Sequence, residues 1–248
     1  MSVATDSAER TRILAATAIR PALAEFIGSA GLTAVVVGSG IAAQRLSPND
    51  TGLQLLENAL ATALGLTVLI LVFTPSSGAQ FNPVVTLVDA ATGGRPWRDL
   101  WTYVPAQILG CLAGAVLANL MFEQPAARWS TTDRATPAHL LAEVVATAGL
   151  ILVIFVLART GRGAGIAPAV GAYIGAAYWF TSSTSFANPA VTLARTISAT
   201  FAGIAPASAP MFVLMQLIGA AAGLALITVI HPRPAARAAP RPAMEGPS

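Results

Sequence analysis

The sequence predicts an all-α membrane protein of six transmembrane helices and two re-entrant half-helices, built as an inverted repeat. Three observations carry this. The 248 residues are 55% hydrophobic and 10% charged, with a mean hydropathy of +0.68, whereas an ordinary soluble domain carries about 25% charged residues. Six apolar stretches are each long enough to cross a bilayer core, which takes about 20 residues of helix. Two further apolar segments, each opening on Asn-Pro, lie between full spans at matching places in the two halves.

The spans fall at about 21–44, 54–74, 99–122, 138–158, 164–183 and 209–230. Residues 1–20 form a cytoplasmic N-terminal segment rather than a signal peptide, because Glu9, Arg10, Arg12 and Arg20 break up any apolar run. The membrane domain covers 21–231, with repeats at about 21–122 and 138–230, and the Pro/Ala/Arg tail of 232–248 is expected to be disordered and cytoplasmic. All 14 basic residues are arginine. Arg10, Arg12, Arg20, Arg95, Arg98, Arg159, Arg162, Arg233, Arg237 and Arg241 fall on one side of a six-span topology, and Arg45, Arg128 and Arg134 on the other. Arginine excess marks the cytoplasmic side, so both termini are expected there, in a multi-pass protein of the cell inner (plasma) membrane.

So few charges exclude a soluble enzyme, a disordered chain and a nucleic-acid binder, in spite of the net charge of +3. One cysteine, Cys111, and two histidines, His139 and His231, provide neither a disulfide framework nor a metal cluster, and no cofactor is expected. With Cys111 expected on a lipid-facing span and His139 at a span end, no nucleophile and base are paired for an intramembrane enzyme.

The halves repeat. Leu23-Ala24-Glu25 and Ala30-Gly31-Leu32 recur as Leu141-Ala142-Glu143 and Ala148-Gly149-Leu150, an offset of 118. Asn82-Pro83-Val84-Val85-Thr86-Leu87 matches Asn188-Pro189-Ala190-Val191-Thr192-Leu193 at an offset of 106, and Gln107, Gly110 and Gly114 match Gln216, Gly219 and Gly223 at 109. Three spans per half is an odd number, so the second half enters the membrane from the opposite face. The glycine pairs are small-residue faces for close helix approach.

Each Asn-Pro motif starts a half-helix. Proline suits the first helical position and asparagine the cap before it, and the segment 83–93 measures about 16 Å at 1.5 Å per residue, half a bilayer. Non-helical backbone at that depth must be buried in protein or line a cavity. The polar runs 74–78 and 181–185 are expected to supply that lining. Two facing helix N-termini, each carrying about half a positive charge, oppose cations at the centre, while the Asn82 and Asn188 amides donate hydrogen bonds to a passing oxygen.

On Ser77-Gly78-Ala79-Gln80-Phe81-Asn82-Pro83-Val84 and Asn188-Pro189-Ala190, over about residues 20–230, the sequence resembles the aquaporin (major intrinsic protein) family. The resemblance implies one pore per subunit, a homotetramer in membrane lipid, and small neutral solutes. It assigns Asn82, Pro83, Val84, Asn188, Pro189 and Ala190 to the pore centre. It also makes Glu25 and Glu143 scaffold carboxylates that accept hydrogen bonds from the re-entrant loops, with Gln80 beside them.

The departures bear on selectivity. The family's arginine after the second motif is Val191, with Arg195 four residues on as a candidate for the outer mouth. The histidine before the first motif is Gln80, and that motif ends in Val84 where the family has alanine. Ser185 and Val191 fall at two of the four outer-filter positions. Anchoring on the span glycines gives Leu64 and Tyr178 for the others, whereas counting back from the motifs gives Thr62 and Ala176. Without the arginine and histidine, the filter is expected to be less cationic and wider. The stretch 186–208 resembles a bacterial aquaglyceroporin subgroup associated with arsenic detoxification. The expected function is a passive channel for water, glycerol-like polyols and arsenite-like hydroxides. The competing class is a proton-coupled small-solute transporter using Glu25 or Glu143.

Overall fold

A computed structural model describes residues 3–232, and among these the regular structure is helical throughout. The elements are α1 (Val3–Leu46), α2 (Thr51–Ser77), α3 (Pro83–Ala91), α4 (Leu100–Met121), α5 (Pro137–Arg159), α6 (Ile166–Phe180), α7 (Pro189–Arg195) and α8 (Ala209–Ile230). Short 3-10 turns precede α4 (Trp97–Asp99) and α6 (Gly163–Gly165). The tail expected from 232 onward lies, apart from Pro232, outside the described residues.

Helix starts follow side-chain chemistry. Asp50 accepts the Leu53 N–H at 2.9 Å to cap α2, and Thr136 accepts that of His139 to cap α5. Asn82 and Asn188 cap α3 and α7, each followed by proline at the first helical position. Five of the six expected spans are long and apolar enough to cross a membrane. The remaining one, α6, has 15 residues, about 22 Å. It falls short of the expected 164–183 because the Gly163–Gly165 turn delays its start and Thr181 turns extended at its end. Helix α1 is longer than its expected span: it runs unbroken through Pro21 from Val3, so residues 3–20 continue the first helix.

The repeat is visible in the packing. Helix α1 lies against α4 and α2, α5 against α8 and α6, and α2 and α6 meet across the molecule. A Cβ at Gly110 or Gly114 would overlap the backbone carbonyls of Phe26 and Ala30, and one at Gly219 or Gly223 would crowd those of Val144 and Ala148. Phe26 and Val144 differ by 118 residues, as do Ala30 and Ala148, matching the sequence offset. These glycine faces are therefore filled within the subunit and give no support to a tetramer contact. Cys111 was expected on a lipid face, yet it is fully buried. The reason is its place beside Gly110 on the α4 face that α1 covers.

Candidate conduction pore

The two re-entrant segments meet at their N-terminal ends. Asn82 Nδ2 donates to the Ala187 carbonyl at 2.8 Å, and Asn188 Nδ2 donates to the Phe81 carbonyl at 2.8 Å. Each asparagine thus caps its own half-helix through Oδ1, which accepts from Val84 N in one case and from Ala190 N and Val191 N in the other. Each also ties down the opposite loop. An amide nitrogen has two hydrogens, so one N–H on each asparagine remains for another acceptor. Phe81 and Ala187 both hold positive φ, 49° and 47°, a costly conformation for a residue with a side chain. Surrounding bonds must hold it.

Those bonds come from Glu25 and Glu143. Glu25, fully buried, accepts from Ser77 Oγ (2.6 Å), Gln80 N (3.0 Å), Phe81 N (2.7 Å) and Gln107 Nε2 (2.8 Å). Glu143 accepts the equivalent set: Ser183 Oγ (2.6 Å), Phe186 N (2.9 Å), Ala187 N (2.9 Å) and Gln216 Nε2 (2.7 Å). Gln107 and Gln216 go on to Thr86 and Thr192, each at 2.9 Å, and these threonines donate back to the Asn82 and Asn188 carbonyls. Ser77 and Ser183 are engaged here, while Thr74, Pro75, Gly78 and Ser185 of the same two polar runs line the cavity.

A cavity of about 440 Å³ runs past both asparagines. Its walls are mostly aliphatic, including Leu32, Val36, Leu66, Ile70, Leu150, Ile154 and Ile174. Gln80, Asn82, Val85, Asp89 and Arg95 line it on the α3 side, and Thr62, Tyr178, Ser185, Phe186, Asn188 and Val191 on the α7 side. Val84, Pro83, Pro189 and Ala190 pack behind the asparagines and are not among the lining residues.

Each of the two registers expected for an outer filter contributes one side chain to the cavity lining. Thr62 and Tyr178 line the cavity with their hydroxyls 3.2 Å apart. Leu64 is 60% exposed on the outer surface of α2, and Ala176 is likewise exposed on α6. Two residues along a helix is a rotation of about 200°, so each pair of candidates points to opposite sides and only one member can face inward.

Arg195 does not line the cavity. It is 2% exposed, donates through Nε to the Ala202 carbonyl, and lays its guanidinium carbon 3.4 Å from the Phe186 ring centroid. A lipid-facing position is thereby excluded. Arg134, from the loop between α4 and α5, approaches the same ring at 5.4 Å and donates to the Gly203 and Phe201 carbonyls at 2.8 and 3.1 Å. Burial draws Arg134 below the ordinary arginine pKa. Next to it, Asp133 is held below its usual value, first by the Ala135 N–H and then by the Ser208 hydroxyl. Sequence reasoning passed over Arg134 and Phe186, whose roles depend on a loop folding back across the α7–α8 connection. It also passed over Asp89, although an acidic residue in an apolar half-helix is itself a signal.

Two re-entrant half-helices joined end to end beside one cavity, inside an inverted six-helix repeat, define a membrane channel and not an enzyme. The chain belongs to the major intrinsic protein family, whose description matches residues 12–183. It is 48% identical over 208 residues to Aquaglyceroporin AqpS of Rhizobium meliloti (strain 1021), covering 84% of this chain and 88% of that protein. It is 31% identical over 183 residues to a Glycerol uptake facilitator protein of Streptococcus pneumoniae (strain ATCC BAA-255 / R6), covering 67% and 77%. Among solved structures, the aquaglyceroporin from Plasmodium falciparum superimposes with a TM-score of 0.70 over 87% of this chain and 98% of that one. At 21% identity, this likeness concerns the fold.

Proposed function

We propose that this protein is a passive channel for small uncharged solutes: water, glycerol-like polyols and neutral hydroxides of the arsenous acid type. Its filter, formed by Thr62, Tyr178, Ser185 and Val191, lacks the usual arginine. The observation that carries the reading is the pairing of Val191 in the cavity wall with Arg195 packed outside it on Phe186. Valine leaves open the volume that a guanidinium with its five donors would fill. The Thr62 and Tyr178 hydroxyls offer donors and acceptors on one wall, and the aliphatic wall accepts the carbon face of a polyol. At the centre, Asn82 and Asn188 hand the solute on, while Glu25 and Glu143 act as scaffold.

The names of the two relatives favour glycerol, and the arginine asymmetry favours an inner-membrane orientation with both termini cytoplasmic. A homotetramer would accord with family membership, and the exposed aliphatic belt is available to lipid and to neighbouring subunits. A proton-coupled carrier has less support, since each carboxylate already accepts four hydrogen bonds.

The test compares water, glycerol and arsenite uptake in vesicles bearing wild type, Val191→Arg and Arg195→Ala. Wild type should pass all three solutes, and Val191→Arg should reduce glycerol and arsenite relative to water by about tenfold or more, the factor worth ~1.4 kcal/mol. Unchanged solute ratios in Val191→Arg would refute the open filter. Loss of arsenite flux in Arg195→Ala alone would make Arg195 the filter residue.

A further inference from the structure

The donors at the pore centre oppose cations but attract anions, and the α7 side adds the charges of Arg134 and Arg195 near the cavity. Something must turn anions back. Among the described residues, the one carboxylate lining the cavity is Asp89, in the last turn of α3. That position is unfavourable for a helix, because the C-terminal end already carries about half a negative charge. The local cost is offset by two donors on one oxygen: Gln80 Nε2 at 2.7 Å and Arg95 Nε at 3.4 Å, both to Oδ2. Among the described residues Oδ1 takes no such bond.

Arg95 has other anchors. Its Nη2 donates to the Ser77 carbonyl at 2.9 Å, its Nη1 reaches Asp99 at 3.5 Å, and its guanidinium carbon sits 4.0 Å from the Tyr103 ring centroid. Asp89 is therefore not needed to place Arg95. Without Asp89, Arg95 would stay at the cavity wall with Asp99, which lies outside the lining, as its remaining carboxylate partner, and the lining itself would carry a positive charge.

We propose that Asp89 is the anion-excluding residue of the pore, cancelling Arg95 and adding to the negative end of α3 so that neutral solutes enter and small anions do not. The proposal rests on the reading of the cavity as a conduction path. A unit charge about 6 Å from an anion's path, at an effective dielectric constant near 20, is worth roughly a hundredfold in occupancy. Screening at a wet mouth reduces this to about tenfold.

Phosphatidylcholine/phosphatidylglycerol vesicles containing the full chain are assayed for osmotic water permeability. Chloride and nitrate efflux is measured with a potassium ionophore present to remove the voltage. The ratio of anion to water permeability should rise about tenfold in Asp89→Asn and stay at the wild-type value in Asp89→Glu. Arg95→Gln, which shifts the mouth charge the other way, should not raise it. An unchanged ratio in Asp89→Asn, an equal leak in Asp89→Glu or a rise in Arg95→Gln overturns the proposal while leaving the pore intact. Wild-type vesicles with no more water flux than protein-free ones would instead overturn the conduction path, and this inference with it.

Discussion

Replacing Glu25 by glutamine separates a scaffold carboxylate from a proton relay. The wild-type carboxylate accepts four donors, two on each oxygen: Ser77 Oγ and Gln80 N on Oε1, Phe81 N and Gln107 Nε2 on Oε2. Glutamine keeps one acceptor oxygen and turns the other into a donor, so one pair must face an NH2 group. The less costly arrangement puts the NH2 towards Ser77, whose hydroxyl can rotate to accept, and leaves the Gln80 N–H buried without a partner. One orphaned donor costs about 1–3 kcal/mol, and the two surviving bonds lose their charge assistance, so a total of roughly 2–5 kcal/mol is expected. The loss falls where Phe81 is held at positive φ, so loop geometry and stability should fail together. Glu143→Gln should cost a similar amount, because its donor set is equivalent. Thermal unfolding in detergent, monitored beside water permeability, reads both. A Glu25→Gln protein with wild-type melting temperature that lost only a proton-dependent component of transport would refute the scaffold argument and favour the coupled carrier.

Two further outcomes follow from packing and charge. Gly114→Ala places a methyl group against the Ala30 carbonyl and should lower stability by at least about 1–3 kcal/mol, whereas Gly163→Ala, where a Cβ meets nothing within 4 Å, should be nearly neutral; equal melting temperatures would contradict the α1–α4 contact. Asp133 has a depressed pKa in the folded protein, led by the Ala135 N–H. Its contribution is therefore present above the unfolded value of about 3.9 and is lost as pH falls through the folded one. Asp133→Asn should accordingly flatten the acid limb of the melting-temperature profile below about pH 4, and an unaltered limb would remove that role.

Much of the bundle was legible because membrane folds leave strong marks. Apolar length gives the spans, Asn-Pro gives the half-helices, and the Gly110/Gly114 repeat at Gly219/Gly223 marks where helices touch. The cavity lining at the expected filter positions was partly legible. In α2 the row Gln54, Asn58 and Thr62, spaced four apart and buried throughout, marks the face of Thr62 against that of Leu64. Helix α6, by contrast, is apolar apart from its tyrosine hydroxyls, and little separates the face of Tyr178 from that of Ala176. Glycine anchors do not resolve the register either, because Gly65 meets Val35 of α1 whereas Gly171 meets Ala63 and Thr67 of α2. The position of Arg195 was beyond sequence reasoning because its partners, Phe186 and Ala202, come together only once the α7–α8 connection has folded back.

The crossed bonds between Asn82 and Ala187, and between Asn188 and Phe81, also bear on how the chain is made. Membrane insertion proceeds from the N-terminus, so α3 reaches the bilayer while residues 184–188 are still unsynthesised. During that interval the Phe81 carbonyl and the Asn82 side chain are polar groups at half depth without their eventual partners. The first repeat is thus an intermediate that only the arrival of the second completes. A chain stopped after α4 should stay accessible to the insertion and quality-control machinery, and it should be rescued by supplying the second half as a separate polypeptide.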